Sequence, residues 1–242
     1  MQNTHTAQPS GPSRARPFRR AAAAAALVIA TAAGLAAYSS MAAASPSAAR
    51  AAVPAHAAAM RLRGPDPYKY LPEVPGFKLA SATVRNGAPL PLAQLSKLLG
   101  VPGGKDVSPQ LSWSGFPKAT RSFVVSMYDP QAPTGSGFWH WVVIDIPGTT
   151  TSLPLDAGAA DSHTLPADAL QLADDAGLHQ YVGGAPPAGS GVHDYYITVT
   201  ALDVASTGLP ATASPAYTGF AIDAHTIARA TIICPTAARG IG

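Results

Sequence analysis

The chain has 242 residues, 47% of them hydrophobic and 12% charged, with one cysteine and a formal net charge of +3. Such apolar content with so little charge excludes a disordered acidic or basic tail protein, and one cysteine excludes a disulfide framework or a cysteine-based zinc finger. The length is enough to bury a core without covalent staples.

The first segment explains the charge. Residues 1–44 hold Arg14, Arg16, Arg19 and Arg20, no acidic residue, an apolar run from Ala21 to Tyr38, and small residues at Ala42–Ala44. That is the pattern of a secretory signal peptide, with an uncleaved membrane anchor as the alternative. Without it, twelve basic residues face thirteen acidic ones, a net charge of −1. Nucleic-acid binding by bulk charge therefore has no support. Residues 45–67 are rich in Ala, Pro and Ser and read as a flexible linker, leaving 68–242 as the folded domain. The expected location is exported, periplasmic or extracellular.

Strands are predicted over Phe77–Val84, Ser122–Asp129, Trp141–Ile146 and Tyr195–Val204, all rich in β-branched and aromatic residues. Trp141-Val142-Val143-Ile144 is apolar on both faces, as a central strand requires, whereas 195–204 alternates with one face more apolar. Short helices are expected at Pro89–Leu99, Pro166–Ala173 and Asp223–Ile233, the last with Asp223 as N-cap and Ile227, Ala230 and Ile233 at helical spacing. Thr149–His179 has no strong period and reads as a long excursion. The sum is a mainly β, antiparallel architecture.

Two clusters carry chemistry. Asp129 ends a strand and enters the turn Asp129-Pro130-Gln131-Ala132-Pro133, and His140 opens the next strand, so a carboxylate and an imidazole can meet at one sheet end. Downstream, Tyr181-Val182-Gly183-Gly184-Ala185-Pro186-Pro187 leads to Gly189, His193, Asp194 and Tyr195. His193 and Tyr195, two apart on a strand, share a face. Taken singly, Asp129 can be a turn cap and His140 a core histidine. Trp113, Trp139 and Trp141 are expected to be packing residues, and Cys234 an inert, partly buried thiol.

Together these segments resemble the phosphatidylethanolamine-binding protein (PEBP) family, in particular its bacterial Raf-kinase-inhibitor-like branch. The resemblance covers roughly Val74–Ile233 and rests on three motifs in order: Asp129-Pro130-x-x-Pro133, His140-Trp141, and the Gly183/Gly184 to Pro186-Pro187, Gly189, His193, Tyr195 segment. It implies a large central antiparallel sheet beside a smaller one with few peripheral helices, and one small pocket for phosphate or a phospholipid head group. Asp129, His140, His193 and Tyr195 would line that pocket, Gly183, Gly184, Pro186 and Pro187 would supply backbone groups, and Tyr181 would stand at its mouth. Two imidazole N–H groups and a tyrosine hydroxyl would bind the anion, with Asp129 orienting a histidine. Two positions depart from the family: Gln131 replaces a carboxylate of the turn, and Asp194 stands where arginine is common, just outside the site.

The function this implies is non-catalytic: an exported binding protein for a small anionic or phosphorylated ligand, with no cofactor. The runner-up is an inhibitor or interaction protein whose pocket rim and 149–179 excursion contact a protease or kinase. Neither Ser136 nor Ser190 lies in a Gly-x-Ser-x-Gly elbow. Acid–base chemistry by His140 and Asp129, or a metal held by Asp129, His140 and His193, are the enzyme-class alternatives, and no close-spaced ligand pair supports the metal.

Overall fold

The computed structural model describes residues 66–239; the signal-peptide and most of the linker reading lie outside them. Eight strands and one α-helix follow in chain order: β1 (Lys78–Ala80), β2 (Leu111–Ser114), β3 (Ser122–Asp129), β4 (Phe138–Pro147), β5 (Ser152–Leu153), β6 (Leu170–Gln171), β7 (Val192–Leu202), α1 (Pro215–Ile222) and β8 (Thr226–Ala237). They form a five-stranded sheet, β6-β4-β3-β7-β8, and a three-stranded sheet, β1-β2-β5, antiparallel throughout. The expected two-sheet antiparallel architecture is what the chain adopts.

The main core contains inward side chains of both sheets, among them Leu111, Trp113, Phe123, Met127, Trp141 and Ile197. Burial of such large side chains is worth roughly 1.5–3 kcal/mol each and is the main force fixing the sheets together. A second, smaller cluster lies on the other face of the large sheet, where Val124, Val142 and Ile144 meet Leu202 and Ile222 of α1. Alternation along β3 distributes its residues between the two: Phe123, Val125 and Met127 go to the main core and Val124 to the second.

Strand β3 has the bounds expected of it, and β4 is buried on both faces because Trp141 and Val143 pack into the main core and Val142 and Ile144 into the second cluster. Strand β7 begins at Val192, so it includes His193, and it is buried on both faces beyond its first residue. Its sequence alternation suggests one wet face, and Tyr68 lies over that face, its hydroxyl bonded to Thr198 Oγ1 and its ring edge-on to Tyr196.

The helix expected at 223–233 is a strand. Residues 228, 230, 232, 234 and 236 are buried and their neighbours are not, a period of two that β7 satisfies over its whole length. The helical spacing of Ile227, Ala230 and Ile233 loses to that pairing, and Asp223 caps the far end of α1, whose N-cap is Ser214 accepting from the Tyr217 N–H. Pro166–Ala173 is likewise not helical: Leu170–Gln171 is strand β6, paired with Val143 and Ile144. Pro89–Leu99 keeps a single 3-10 turn, Leu92–Gln94. The strand expected from Phe77 shrinks to three residues because Ser81 Oγ accepts from the N–H groups of Thr83 and Val84 and turns the chain away.

One irregularity positions the site. In the β3–β4 ladder Met127 pairs with Trp141 and Tyr128 with Trp139, so His140 is an extra residue without a partner across the ladder, a β-bulge. Val182 holds it on the other edge: its N–H donates to the His140 carbonyl at 2.9 Å, and its carbonyl accepts from the His140 ring at 3.0 Å.

Candidate functional site

The end of β3, the bulge in β4 and the start of β7 bring Asp129, His140, His193 and Tyr195 together. Asp129 serves as turn cap and as partner at once: Oδ1 accepts from the Gln131 N–H at 2.9 Å, and Oδ2 accepts from His193 Nδ1 at 2.7 Å. Both side chains are buried. The other ring nitrogen, His193 Nε2, lies 2.8 Å from Ser190 Oγ, and that hydroxyl also donates to the Pro187 carbonyl at 2.7 Å. The His193 and Tyr195 rings stack at 6.5 Å, and the Tyr195 ring meets His140 edge-on at 5.3 Å.

His140 has a different chemistry from the one expected. Its Nδ1 faces a carbonyl, which assigns the proton to that nitrogen. Burial pushes the imidazole down to about 4, outweighing the opposite pull of Asp129 and of the carbonyl, so the ring is neutral at physiological pH. Its Nε2 is buried without a hydrogen-bond partner among the described residues. At this position a ligand meets a lone pair that accepts; the expected second N–H donor is absent.

The loop 183–187 is a brace. The Gly183 N–H donates to Asp106 Oδ1 at 2.8 Å, that of Gly184 to the Gln94 carbonyl at 3.1 Å, and that of Ala185 to the Tyr195 hydroxyl at 3.0 Å. Pro186 and Pro187 have no N–H to offer. Every backbone donor expected to reach a ligand from 183 to 187 is taken by the protein. Tyr195 is in turn committed as an acceptor, and burial, then the neighbouring Asp129, raises its hydroxyl far above the usual range, so it stays protonated.

Tyr181 is in the main core rather than at a mouth. It is buried, its hydroxyl donates to the Gln94 carbonyl at 2.9 Å, and its ring stands edge-on to Trp141 at 5.7 Å. Asp194, expected just outside the site, is buried and its N–H donates to Gln131 Oε1 at 2.9 Å, so the two departing positions touch each other. The amide Nε2 of Gln131 is buried and has no partner among the described residues. Trp113 and Trp141 are buried packing residues, and half-buried Trp139 lies against Tyr128 at 4.3 Å. Cys234 is fully buried, and burial raises its thiol to about 12. His179 bonds the Gln171 carbonyl on the surface and takes no part in the cluster.

Sequence reasoning missed two residues. Asp106, at φ 55°, uses its carboxylate to hold Gly183 and the Leu98 N–H, a role only the fold can reveal. Ser190 was legible in part: it stands three before His193 in a Gly-Ser-Gly turn.

The cluster is closed. Asp129, His140, His193 and Tyr195 are each 3% exposed or less, and Ser190 is the half-exposed group above them. A cleft of about 760 Å³ lies on the other face of the large sheet, against Tyr68, Trp139 and Arg229, and one of about 450 Å³ lies between Leu95, Leu99 and Pro186-Pro187; neither has the four buried residues in its wall. No group of three His, Cys, Asp or Glu side chains among the described residues is arranged to hold a metal ion.

The order of turn, bulged histidine and Pro-Pro loop on this two-sheet scaffold agrees with the family profile of the phosphatidylethanolamine-binding protein, which matches residues 80–236. The chain belongs to the PEBP family. Among curated relatives, Escherichia coli YbcL is 41% identical over 156 residues, 64% of this chain and 85% of that protein, and E. coli YbhB is 42% identical over 156 residues, covering 64% and 97%. The crystal structure of E. coli YbcL, described as a member of the mammalian PEBP family, superposes with a TM-score of 0.65 at 39% identity, over 67% of this chain and 99% of that one. A Mycobacterium tuberculosis protein named as lipoprotein LppC is 32% identical over 134 residues, 55% of this chain and 59% of that protein. The PEBP fold is thus the scaffold on which Asp129, His140 and His193 meet.

Proposed function

We propose that the chain is an exported binding protein that recognises a small phosphate-type anion at the Asp129–His193 pair. The observation that carries this reading is the buried 2.7 Å contact between Asp129 and His193, with the second ring nitrogen turned toward a hydroxyl that a ligand oxygen can replace. Asp129 holds the His193 ring in place, and His193 Nε2–H donates to the anion in a charge-assisted bond worth about 1.5–3 kcal/mol. The amide of Gln131 is a second donor. His140 Nε2 accepts from a donor on the ligand itself, such as a P–OH or an ammonium group, which favours a monoester or head group over a fully ionised anion. Entry requires Ser190 to swing off His193.

Side-chain imidazole NMR during titration with inorganic phosphate and phosphoethanolamine tests this. The His193 signals should move, and Asp129→Asn should weaken binding at least about tenfold, the effect of losing one charge-assisted bond. Static His193 signals across both titrations overturn the reading.

The leader of residues 1–44 and the kinship with a protein named as a lipoprotein support export. Sequencing the amino terminus of the exported chain should find it beginning at Ser45; a chain retained with Met1 intact indicates an anchor. A protein partner is the second reading, favoured by Leu155 and Leu178, which are exposed on the 149–179 excursion. Shortening that excursion should abolish co-purification of such a partner and leave phosphate binding intact.

A further inference from the structure

The binding reading uses Ser190 only as the hydroxyl that a ligand displaces from His193. Its hydroxyl, the His193 ring and the Asp129 carboxylate lie in line, Oγ to Nε2 at 2.8 Å and Nδ1 to Oδ2 at 2.7 Å. These are the contacts of a nucleophile, a general base and the group that orients the base, an arrangement recognised by geometry and not by position in the chain. Asp129 accepts at Nδ1, so in the neutral ring the proton sits on that nitrogen and the Nε2 lone pair points at the serine. Gly189 and Gly191 flank Ser190 at φ 80° and 91°, a backbone that lifts the serine out on a tight turn, half-exposed above two buried partners.

A third element is present. Gln131 is tied to this group from two sides, its N–H to Asp129 and its Oε1 to the Asp194 N–H, and its amide Nε2 is buried with no partner among the described residues. A preorganised amide donor is what a developing oxyanion requires. A carboxylate at this position would repel the same charge.

We propose that Ser190 is a nucleophile that takes an acyl group from activated esters, with His193 as its base, Asp129 as the residue that positions His193, and Gln131 as the oxyanion donor. Ser190 Oγ bonds to the ester carbonyl carbon while its proton passes to His193 Nε2. The carbon–alkoxide bond breaks and His193 returns the proton to the departing alcohol. Water then attacks the acyl-serine, giving its proton to His193; the carbon–Oγ bond breaks, the carboxylic acid leaves, and the serine regains its proton. In the resting protein the hydroxyl divides its single proton between the Pro187 carbonyl and His193, so attack begins when the rotor turns to the ring. The substrates are small esters with a good leaving group, because the cluster is closed below Ser190.

A fluorophosphonate probe on the full chain tests this, since serine attack releases fluoride and leaves a stable phosphonyl-serine readable by mass. Ser190 should be labelled stoichiometrically and Ser190→Ala should not be labelled, at an unchanged melting temperature. Gln131→Ala and His193→Gln should slow labelling on the order of a hundredfold. In Asp129→Asn the pH profile of labelling should shift, which a merely structural role would not produce; besides Asp129, the groups around His193 are Ser190, Tyr195 and His140. Ser190→Cys should transfer reactivity to iodoacetamide, without interference from buried Cys234. An unlabelled wild-type chain whose His193 signals still respond to phosphate overturns the nucleophile and leaves the binding reading standing. Labelling that persists in Ser190→Ala overturns it as well.

Discussion

At the scale of single residues, His140 links folding to pH. Its imidazole is held down to about 4 when folded, against an ordinary value of 6.5. Between those values the unfolded chain binds more protons than the folded one, so stability rises with pH through this window. Acidification from 6.5 to 4 should therefore cost up to about 3 kcal/mol of unfolding free energy from this group. Asp174 works the other way: burial raises its carboxyl to about 6, so its protonation favours the folded state as pH falls and offsets part of the loss. Denaturant titrations from pH 7 to 4 should show the acid limb flattened in His140→Phe, which keeps the ring contacts with Phe138 and Tyr195 but has no proton to bind. An unchanged slope would mean that His140 protonates without hindrance when folded. That Asp129 caps its turn and pairs with a histidine was readable from the sequence and its family resemblance, and the way His140 bonds was not. Whether a histidine donates or accepts depends on which atom faces it, and Val182, the residue that decides this for His140, is 42 positions away.

At the scale of elements, the contact between the 183–187 loop and the 92–96 turn carries the site. The Leu95–Gly184 bridge and the bonds of Ser96 N–H to the Gly184 carbonyl, and of Gly184 N–H to the Gln94 carbonyl, lock the two segments in parallel. A Cβ at Gly183 would lie 2.6 Å from both the Gln94 carbonyl oxygen and the Ser96 nitrogen, and also against the Leu95 carbonyl carbon, all rigid backbone. Gly183→Ala should cost about 2–3 kcal/mol and lower the melting temperature on the order of 5–10 °C, measured by calorimetry. The two chains can meet so closely only because residue 183 has no side chain. Strands β3 and β4 were legible because their β-branched and aromatic runs match their buried surroundings. The strand β8 was not, since its Ile and Ala spacing fits both periods and only the proximity of β7 decides between them. The single turn at Leu92–Gln94 shows the same limit from the other side: local helical preference stops where Leu95 pairs with Gly184.

At the scale of the molecule, the basic excess lies in residues 1–44, and the chain from Ser45 onward has a net charge of −1. On the proposed reading an anion would approach without long-range attraction, and its affinity would come from a few donors in a closed site. Phosphate affinity of the chain beginning at Ser45 should change less than about threefold between 20 and 200 mM salt, since counter-ions screen fields between exposed charges far more than contacts between buried ones. Isothermal titration at the two salt concentrations measures this, and a fall of tenfold or more would point to a surface site instead. The antiparallel β class was legible because the run of strands without intervening long helices leaves few alternatives, and the pairing of a large with a small sheet was implied by the resemblance to the PEBP family. The closure of the site was not, because it depends on where Ser190 rests above His193.

The bulge at His140 makes one residue of β4 separable from its ladder. Met127 with Trp141 and Tyr128 with Trp139 remain consecutive ladder pairs if the residue between the two tryptophans is removed. Removing that residue would leave the other side chains of β4 on their present faces, with the second irregularity between Phe123 and Val125 retained. The deletion would also free the Val182 N–H and carbonyl that now bond His140. One residue thus carries the imidazole, and with it the acceptor that would face a ligand, between two ladder pairs that can close up without it.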